Sequence, residues 1–411
     1  MSIIVAKFGG TSVANPDRIR AAAEKIAAEV NRGNKVAVIV SAMAGETNRL
    51  LDLGHSFGTD IDQREVDTIL ASGEQVSAGM MALALQSFGV KARSWQGWQS
   101  KIRCDDIYGK ARIKGVEADQ IIDSMNDGVV PVITGFQGLT DDGRTITLGR
   151  GGSDTSAVAM AAAFKADRCD IYTDVDGVYT ADPRIVKDAQ KIDKINYEAM
   201  LEMASLGSKV LQTRSVELAM KEKVPLQVLS SMEEGIGSDL PGTILVEEDK
   251  EMEQETVTGI AHTTGEAKVT LVHVPDRPGI AAQIFSLLAE NQITVDMIVQ
   301  NISSDGDGTD ITFIVPEGEL SPVRESFAND SELSDIEMLI DEKVAKVSIV
   351  GMGIRSYASV ASKAFSALAD DSINIQAIST SEIKLSLLVS RDDVNKAVQS
   401  LHNAFNLSSE K

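Results

Sequence analysis

Short β-branched runs alternate with longer stretches of helical period through residues 1–245. Ile3 to Val5, Val36 to Val40, Val129 to Ile133, Ile171 to Thr173 and Leu226 to Leu229 predict buried strands. An unbroken apolar run is what a strand covered on both faces presents. Between the first two lies Asn15-Pro16-Asp17, followed by Ile19, Ala22, Ala23, Ile26, Ala27 and Val30. That spacing predicts an amphipathic helix with proline in its first turn, stopped at Gly33. Strand–helix–strand alternation implies parallel pairing and a layered α/β domain. Ser72-Gly73-Glu74 reads as the opening of a further helix that continues to about Phe88.

The pattern changes after residue 246. Residues 247–255 carry six acids and one lysine, a self-repelling run with little to bury, and predict an exposed linker or an acidic helix end. An internal repeat follows. Phe285-Ser286-x-Leu288-Ala289 recurs as Phe365-Ser366-x-Leu368-Ala369, and Ile293-x-Val295-x-x-Ile298 as Ile373-x-Ile375-x-x-Ile378, both 80 residues on. Lys268-Val269-Thr270-Leu271 recurs as Lys346-Val347-Ser348-Ile349, 78 residues on. Each unit reads strand, Gly-containing loop, helix and strand, then a hairpin partner such as Thr309 to Val315 or Lys384 to Val389.

Charge narrows the function. Lys and Arg number 39 against 61 Asp and Glu, a net of −22, which excludes the basic face a nucleic-acid binder needs. An anionic membrane surface is equally unsuited. Only Cys104 and Cys169 are present, too few for a disulfide framework or a zinc cluster, and the four His form no spaced pair. The N-terminal Met-Ser-Ile-Ile-Val-Ala-Lys-Phe reads as a buried strand and not a signal peptide, and no run approaches the ~20 apolar residues of a membrane span. The expected location is cytoplasmic.

Two glycine-rich segments are candidate anion sites. Lys7-Phe8-Gly9-Gly10-Thr11-Ser12 stands where the first strand ends, which is where open α/β sheets bind ligands. Its glycines let backbone N–H groups approach a phosphate, beside the Lys7 charge, although the same residues also suit a plain strand-to-helix turn. Leu148-Gly149-Arg150-Gly151-Gly152-Ser153-Asp154 runs into a strong helix former, Ala157 to Phe164. A helix N-terminus favours an anion, and Arg150 can grip a carboxylate or phosphate through two N–H groups. Ser153 or Asp154 suits the helix cap. Gly138-x-x-x-x-Gly143-Arg144-Thr145 lacks the lysine of a phosphate loop, and Asp141-Asp142-Gly143 predicts a hairpin turn instead. Gly351-x-Gly353-x-x-Ser356 lacks the third glycine of a dinucleotide fingerprint.

Taken together, Lys7 to Ser12, Gly149 to Asp154 and Thr173-Asp174-Val175-Asp176-Gly177 resemble the signatures of the aspartokinases, within the amino acid kinase fold family. The repeats resemble paired ACT domains, with Asp276-Arg277-Pro278-Gly279 like the first ACT loop and Ile378 to Glu382 its counterpart late in the second unit. The resemblance spans essentially the whole chain. It implies an α/β fold, an amino acid kinase α/β/α sandwich on a mainly parallel sheet, followed by two α+β ACT modules of βαββαβ ferredoxin-like type. The implied boundaries are 1–246 for the catalytic domain, 247–255 for the linker, 256–343 for the first ACT module and 344–411 for the second. In this family the first module is usually inserted within the second, so the strand near 256–263 is shared with residues after about 344.

The resemblance implies ATP-dependent phosphorylation of the β-carboxylate of L-aspartate, with Mg²⁺ arriving on ATP. That is the first step toward lysine, threonine and methionine. By the same resemblance Lys7 and Asp154 are catalytic. Lys7, Gly9, Gly10, Thr173, Asp174, Tyr179, Asp182, Arg184 and Lys209 hold the nucleotide. Ser41, Thr47, Glu74, Arg150, Gly151 and Ser153 hold aspartate, with Arg150 on its α-carboxylate and Glu74 on its ammonium. Asp276, Gly279, Asp296, Asn374, Ile375, Ser381 and Glu382 are the implied contacts for lysine, threonine or both. At least a homodimer through the ACT modules is implied, and some relatives add a shorter regulatory chain, for which Met252 is the candidate start. Two alternatives stay open: a kinase for another acidic amino acid or a carbamate, and an amino-acid sensor whose kinase half is inactive.

Overall fold

The structure, a computed structural model, describes residues 1–58, 61–206, 210–247, 257–302, 308–352, 354 and 358–408. The chain divides into two compact units, Met1–Tyr179 with Lys191–Met252, and Thr180–Gln190 with Glu253–Lys411.

The first unit opens with β1 (Ile3–Phe8), α1 (Pro16–Asn31), β2 (Lys35–Val40), α2 (Glu46–His55), α3 (Gln63–Ser87) and β3 (Ala92–Trp95). There follow α4 (Gly97–Ser100), β4 (Ile102–Cys104), β5 (Ile113–Val116), α5 (Asp119–Asn126), β6 (Val130–Thr134), β7 (Gln137–Leu139) and β8 (Thr145–Thr147). It closes with α6 (Gly152–Phe164), β9 (Arg168–Thr173), β10 (Lys194–Asn196), α7 (Tyr197–Ser205), α8 (Thr213–Glu222), β11 (Leu226–Ser230) and β12 (Thr243–Val246). Among the described residues its main sheet has eight strands in the order β10-β12-β11-β9-β1-β2-β6-β3. All pairs are parallel except β11 with β12. A smaller sheet runs β5-β4-β7-β8, and its β7–β8 hairpin turns through Gly143 at φ +87°, as the Asp-Asp-Gly sequence predicts.

Alternation along β1 positions the site. Ala6 and Phe8 face a core with Ile19, Ile26, Met81 and Leu85 of α1 and α3. In a strand the next side chain points to the opposite face, so Lys7 faces away from that core. Helix α1 starts as its sequence predicts, with the Asn15 side chain accepting the Arg18 N–H and Pro16 in the first turn. Helix α3 does not. It begins at Gln63, capped by Asp62, and runs unbroken through Ser72-Gly73-Glu74. Gly73 is no boundary: a Cβ there would lie 2.8 Å from the Ala42 Cβ, so glycine lets α3 approach the segment after β2.

The second unit contains β13 (Gly259–Val274), α9 (Ile280–Glu290), β14 (Asp296–Ile302), β15 (Thr309–Pro316), α10 (Leu320–Asn329) and β16 (Glu337–Val350). It continues with α11 (Ala358–Asp370), β17 (Ala377–Thr380), β18 (Lys384–Ser390) and α12 (Val394–Ala404). The six strands form one antiparallel sheet, β14-β15-β13-β16-β18-β17. β13 serves both repeats. Its Gly259–Thr264 half pairs with Val350–Ala345, and beyond the irregularity at Gly265 (φ +87°) it pairs with β15 and the first half of β16. Among the described residues each repeat has its own core, one including Val269, Ile284, Phe313 and Val323, the other Val347, Ala364, Leu387 and Val398, and Met297, Ile314, Val344 and Leu388 form a smaller cluster.

Residues 180–190 depart from a contiguous first domain of 1–246. Ala181 and Val186 are buried in the core of the second repeat, and Thr180 Oγ1 lies 3.0 Å from His402 Nε2 on α12. Apolar burial assigns this excursion to the second unit. Residues 248–256, and with them most of the acidic run and Met252, lie outside the described residues, as do Gly353 and Ser356. No described helix is long and apolar enough to cross a membrane.

Candidate active site

Lys7 sits near the carboxyl end of β1, 8% exposed, and its Nζ lies 2.5 Å from Asp154 Oδ1. Asp154 stands in the first turn of α6, where the helix dipole favours an acid. The cap is Gly151 in the left-handed conformation (φ +68°), not Ser153 or Asp154. A Cβ at Gly151 would fall 1.9 Å from the Gln212 side chain, so the position suits only glycine. Gly9 donates its N–H to the Tyr172 carbonyl and opens a short 3-10 turn, Gly10–Val13. A Cβ on Gly10 would stand 3.1 Å from the Ala42 carbonyl oxygen, which makes this crossing tight.

Ala42 also meets Glu74. The Ala42 N–H donates to Glu74 Oε1 at 2.9 Å, while Glu74 Oε2 is buried with no hydrogen-bond partner among the described residues. The side chain is 2% exposed, and burial pushes its carboxyl up to about 8. A buried acid with one unused oxygen can accept a hydrogen bond or a cation there. Ser41 is half-buried at the end of β2 with its N–H on the Phe8 carbonyl, and Thr47 lies half-buried in the first turn of α2. Ser153 is buried in the first turn of α6. Arg150 is exposed on the loop before α6 and makes no ion pair among the described residues.

At the end of β9, Thr173 Oγ1 donates to Asp174 Oδ1 at 3.1 Å, and Asp174 is exposed. Tyr179 donates its hydroxyl to Asp176 (3.0 Å), and Lys191 Nζ lies 3.3 Å from the same carboxylate. Burial, then the Asp176 carboxylate, raises the Tyr179 phenol above its ordinary value. Asp182 and Arg184 fall in the second unit, where they pair with each other at 2.7 Å, and Arg184 holds the Asp182 carboxyl below its usual range. Lys209 lies outside the described residues.

In the second unit Asp276 is exposed, and Gly279 caps α9 at φ +96°. Asn374 is exposed, Ile375 half-buried and Glu382 exposed, and Ser381 Oγ accepts the Lys384 N–H in the β17–β18 turn. Asp296 is already engaged: Lys346 Nζ bonds to it and lies 3.1 Å from Glu266 Oε1. Lys346 is 4% exposed, and although burial alone would lower its pKa, Glu266 and Asp296 raise it. The repeat-related pair does the same without an acid: Lys268 Nζ donates to Gln376 Oε1 at 2.6 Å. Each repeat's sheet lysine thus reaches the strand entry of the other repeat.

Sequence reading passed over Ser231, Arg18 and Lys25. Ser231 follows β11 and is 4% exposed, and it accepts hydrogen bonds from Ser12 Oγ and Arg18 Nη2. A Ser-Ser pair after a strand carries only turn chemistry as a sequence signal.

The amino acid kinase family model matches residues 2–230, and ACT domain models match 268–329 and 347–405. A curated aspartate kinase of Pseudomonas fluorescens is 50% identical over 99% of this chain and 98% of its own. Among solved structures, E. coli aspartokinase III in complex with aspartate and ADP (R-state) is 26% identical, with TM-score 0.82 over 98% of this chain and 99% of that one. The same enzyme in complex with lysine and aspartate (T-state) matches at 27% identity and TM-score 0.76, with the same coverage. With a buried lysine–aspartate pair behind a double-glycine turn and two ACT repeats on one sheet, the chain belongs to the aspartate kinase family.

Proposed function

We propose that the chain transfers the γ-phosphoryl group of ATP to the β-carboxylate of L-aspartate, giving 4-phospho-L-aspartate and ADP. The observation that carries this reading is the joint placement, around Ala42, of the Gly10 turn and the unused Glu74 oxygen, beside Lys7 and Asp154. A side-chain carboxylate has an ordinary pKa of about 3.9 and is already an ionised nucleophile at neutral pH. No general base is needed. The problem is bringing an anion to a polyanion, which charge neutralisation and alignment solve.

Lys7, held by Asp154, faces the transferring phosphoryl group beside the Gly9–Gly10 turn, whose Gly9 N–H is already donated to the Tyr172 carbonyl. Arg150 takes the aspartate α-carboxylate and Glu74 its ammonium, with Ser41, Thr47, Gly151 and Ser153 around the amino acid. Thr173, Asp174, Tyr179 and Lys209 hold the nucleotide. Mg²⁺ would arrive on ATP and offset phosphate charge, and Asp154 would orient Lys7 or the metal-bound phosphates. Regulation falls to the second unit, where lysine, threonine or both bind at Asp276, Gly279, Asp296, Asn374, Ile375, Ser381 and Glu382. The working assembly is at least a homodimer in the cytoplasm.

The test is an acceptor panel assayed for ADP release with ATP and Mg²⁺. L-Aspartate should outpace L-glutamate, N-acetyl-L-glutamate and carbamate. Preference for any of these others would reject the proposed acceptor.

A further inference from the structure

We propose that Ser231 is a positioning residue for nucleotide binding, holding the double-glycine turn in register with the end of β9. This rests on the reading that Gly9, Gly10 and Thr173 face the nucleotide.

Ser231 is tied to three segments at once. Its N–H donates to the Thr173 carbonyl at 2.8 Å, which fixes it to the end of β9. Its Oγ accepts from Ser12 Oγ at 2.8 Å, which fixes the turn that begins at Gly9. Arg18 Nη2, from the first turn of α1, donates to both the Ser231 carbonyl (2.9 Å) and its Oγ (3.1 Å). Ser12 is fully buried and Ser231 nearly so, so water cannot replace the hydroxyl pair. The surrounding turn is braced as well: Ser230 Oγ accepts the Met232 N–H, and the buried Lys25 donates from α1 to the Glu233 and Gly235 carbonyls. Burial, then the charge of Arg18, lowers the pKa of Lys25, and Glu233, Glu24 and Glu234 oppose this.

The segments joined carry the two halves of the proposed nucleotide site. Displacing one by about 1 Å relative to the other is enough to cost on the order of 10²-fold in a reaction that depends on alignment. A residue that only supports folding would change the fraction of active protein, which scales kcat and leaves KM alone. Ser231 as a positioning residue must change the nucleotide KM itself.

The experiment compares Ser231→Ala, Ser231→Thr, Ser12→Ala and the Ser12→Ala/Ser231→Ala double variant with wild type, all as full-length protein. Steady-state kinetics are run in ATP and in aspartate, with calorimetric ADP binding alongside. In Ser231→Ala the ATP KM and the ADP Kd should rise roughly tenfold, with the aspartate KM within about twofold of wild type. Ser231→Thr keeps the hydroxyl and should recover most of the ADP affinity. The double variant should lose no more than the worse single variant, because both break the same contact. An unchanged ATP KM in Ser231→Ala, or fully additive losses, overturns the inference. Wild-type protein that fails to bind ADP at all would sink the nucleotide reading itself.

Discussion

Glu74 and Ala42 meet through one hydrogen bond of 2.9 Å, and the second carboxylate oxygen of Glu74 is left buried without a partner among the described residues. Burial pushes this carboxyl up to about 8 from an ordinary 4.5. The free protein therefore carries a proton on Glu74 at neutral pH. An incoming ammonium is paired only after that proton leaves. Aspartate binding should release a proton below pH 8, and the aspartate KM should rise about tenfold for each unit of pH below that value. Calorimetry in buffers of different ionisation enthalpy reads the proton, and Glu74→Gln should abolish both effects.

The same residue makes a stability prediction. A folded-state value above the unfolded one means that the native state holds a proton the unfolded chain has released. The contribution of Glu74 is complete below about pH 4.5 and is lost as pH rises through about 8. From pH 6 to pH 9 the melting temperature of the ligand-free wild type should fall more than that of Glu74→Gln. Equal falls in the two proteins would remove Glu74 as the cause.

Lys7→Ala should lower kcat by about 10²-fold with little change in aspartate KM, because its charge matters most where charge develops in the transition state. It should also destabilise the protein, since Asp154, 8% exposed, is left without its ion-pair partner. Normal kcat in a folded Lys7→Ala protein would take Lys7 out of the mechanism.

Arg150 stands apart from that pair because it is exposed and makes no ion pair among the described residues. Arg150→Ala should raise the aspartate KM by about tenfold or more without moving the melting temperature or the ADP affinity. A comparable loss of ADP affinity would place Arg150 on the nucleotide instead.

In the regulatory unit, Asp296 holds Lys346, which Glu266 also flanks. Asp296→Asn leaves Lys346 with Glu266 and should relieve inhibition by lysine or threonine, read as a higher inhibitor concentration at half activity. Coupling of this kind is worth about 5- to 150-fold. Lys346→Ala should be worse for folding than Asp296→Asn, because it strands two acids at once, one of them mostly buried. The order of the two melting temperatures checks this.

Much of the architecture is legible along the chain because it rests on local patterns. Asn15-Pro16 starts α1, five strands of the first sheet (β1, β2, β6, β9 and β11) stand where the β-branched runs are, and the 78- and 80-residue offsets mark the two repeats. What escapes sequence reading depends on contacts between distant segments. Gly73 looks like a helix boundary but is a packing glycine opposite Ala42. Residues 180–190 follow Tyr179 directly yet bury Ala181 and Val186 in the second repeat's core. Ser231 gains its meaning only when β11, β9 and the Gly9 turn are side by side. Lys7, Gly9, Gly10 and Asp154 stand out through the family resemblance of their motifs, since residue type and spacing alone suit a plain turn and a helix cap equally well.

The most direct test of the account is trapping the acyl phosphate. Wild-type protein is incubated with ATP, Mg²⁺, L-aspartate and hydroxylamine, and aspartyl hydroxamate is measured against ADP. The account predicts hydroxamate and ADP in equal amounts, both dependent on aspartate and both nearly lost in Lys7→Ala. ADP release that is indifferent to aspartate, or that yields no hydroxamate, would contradict it.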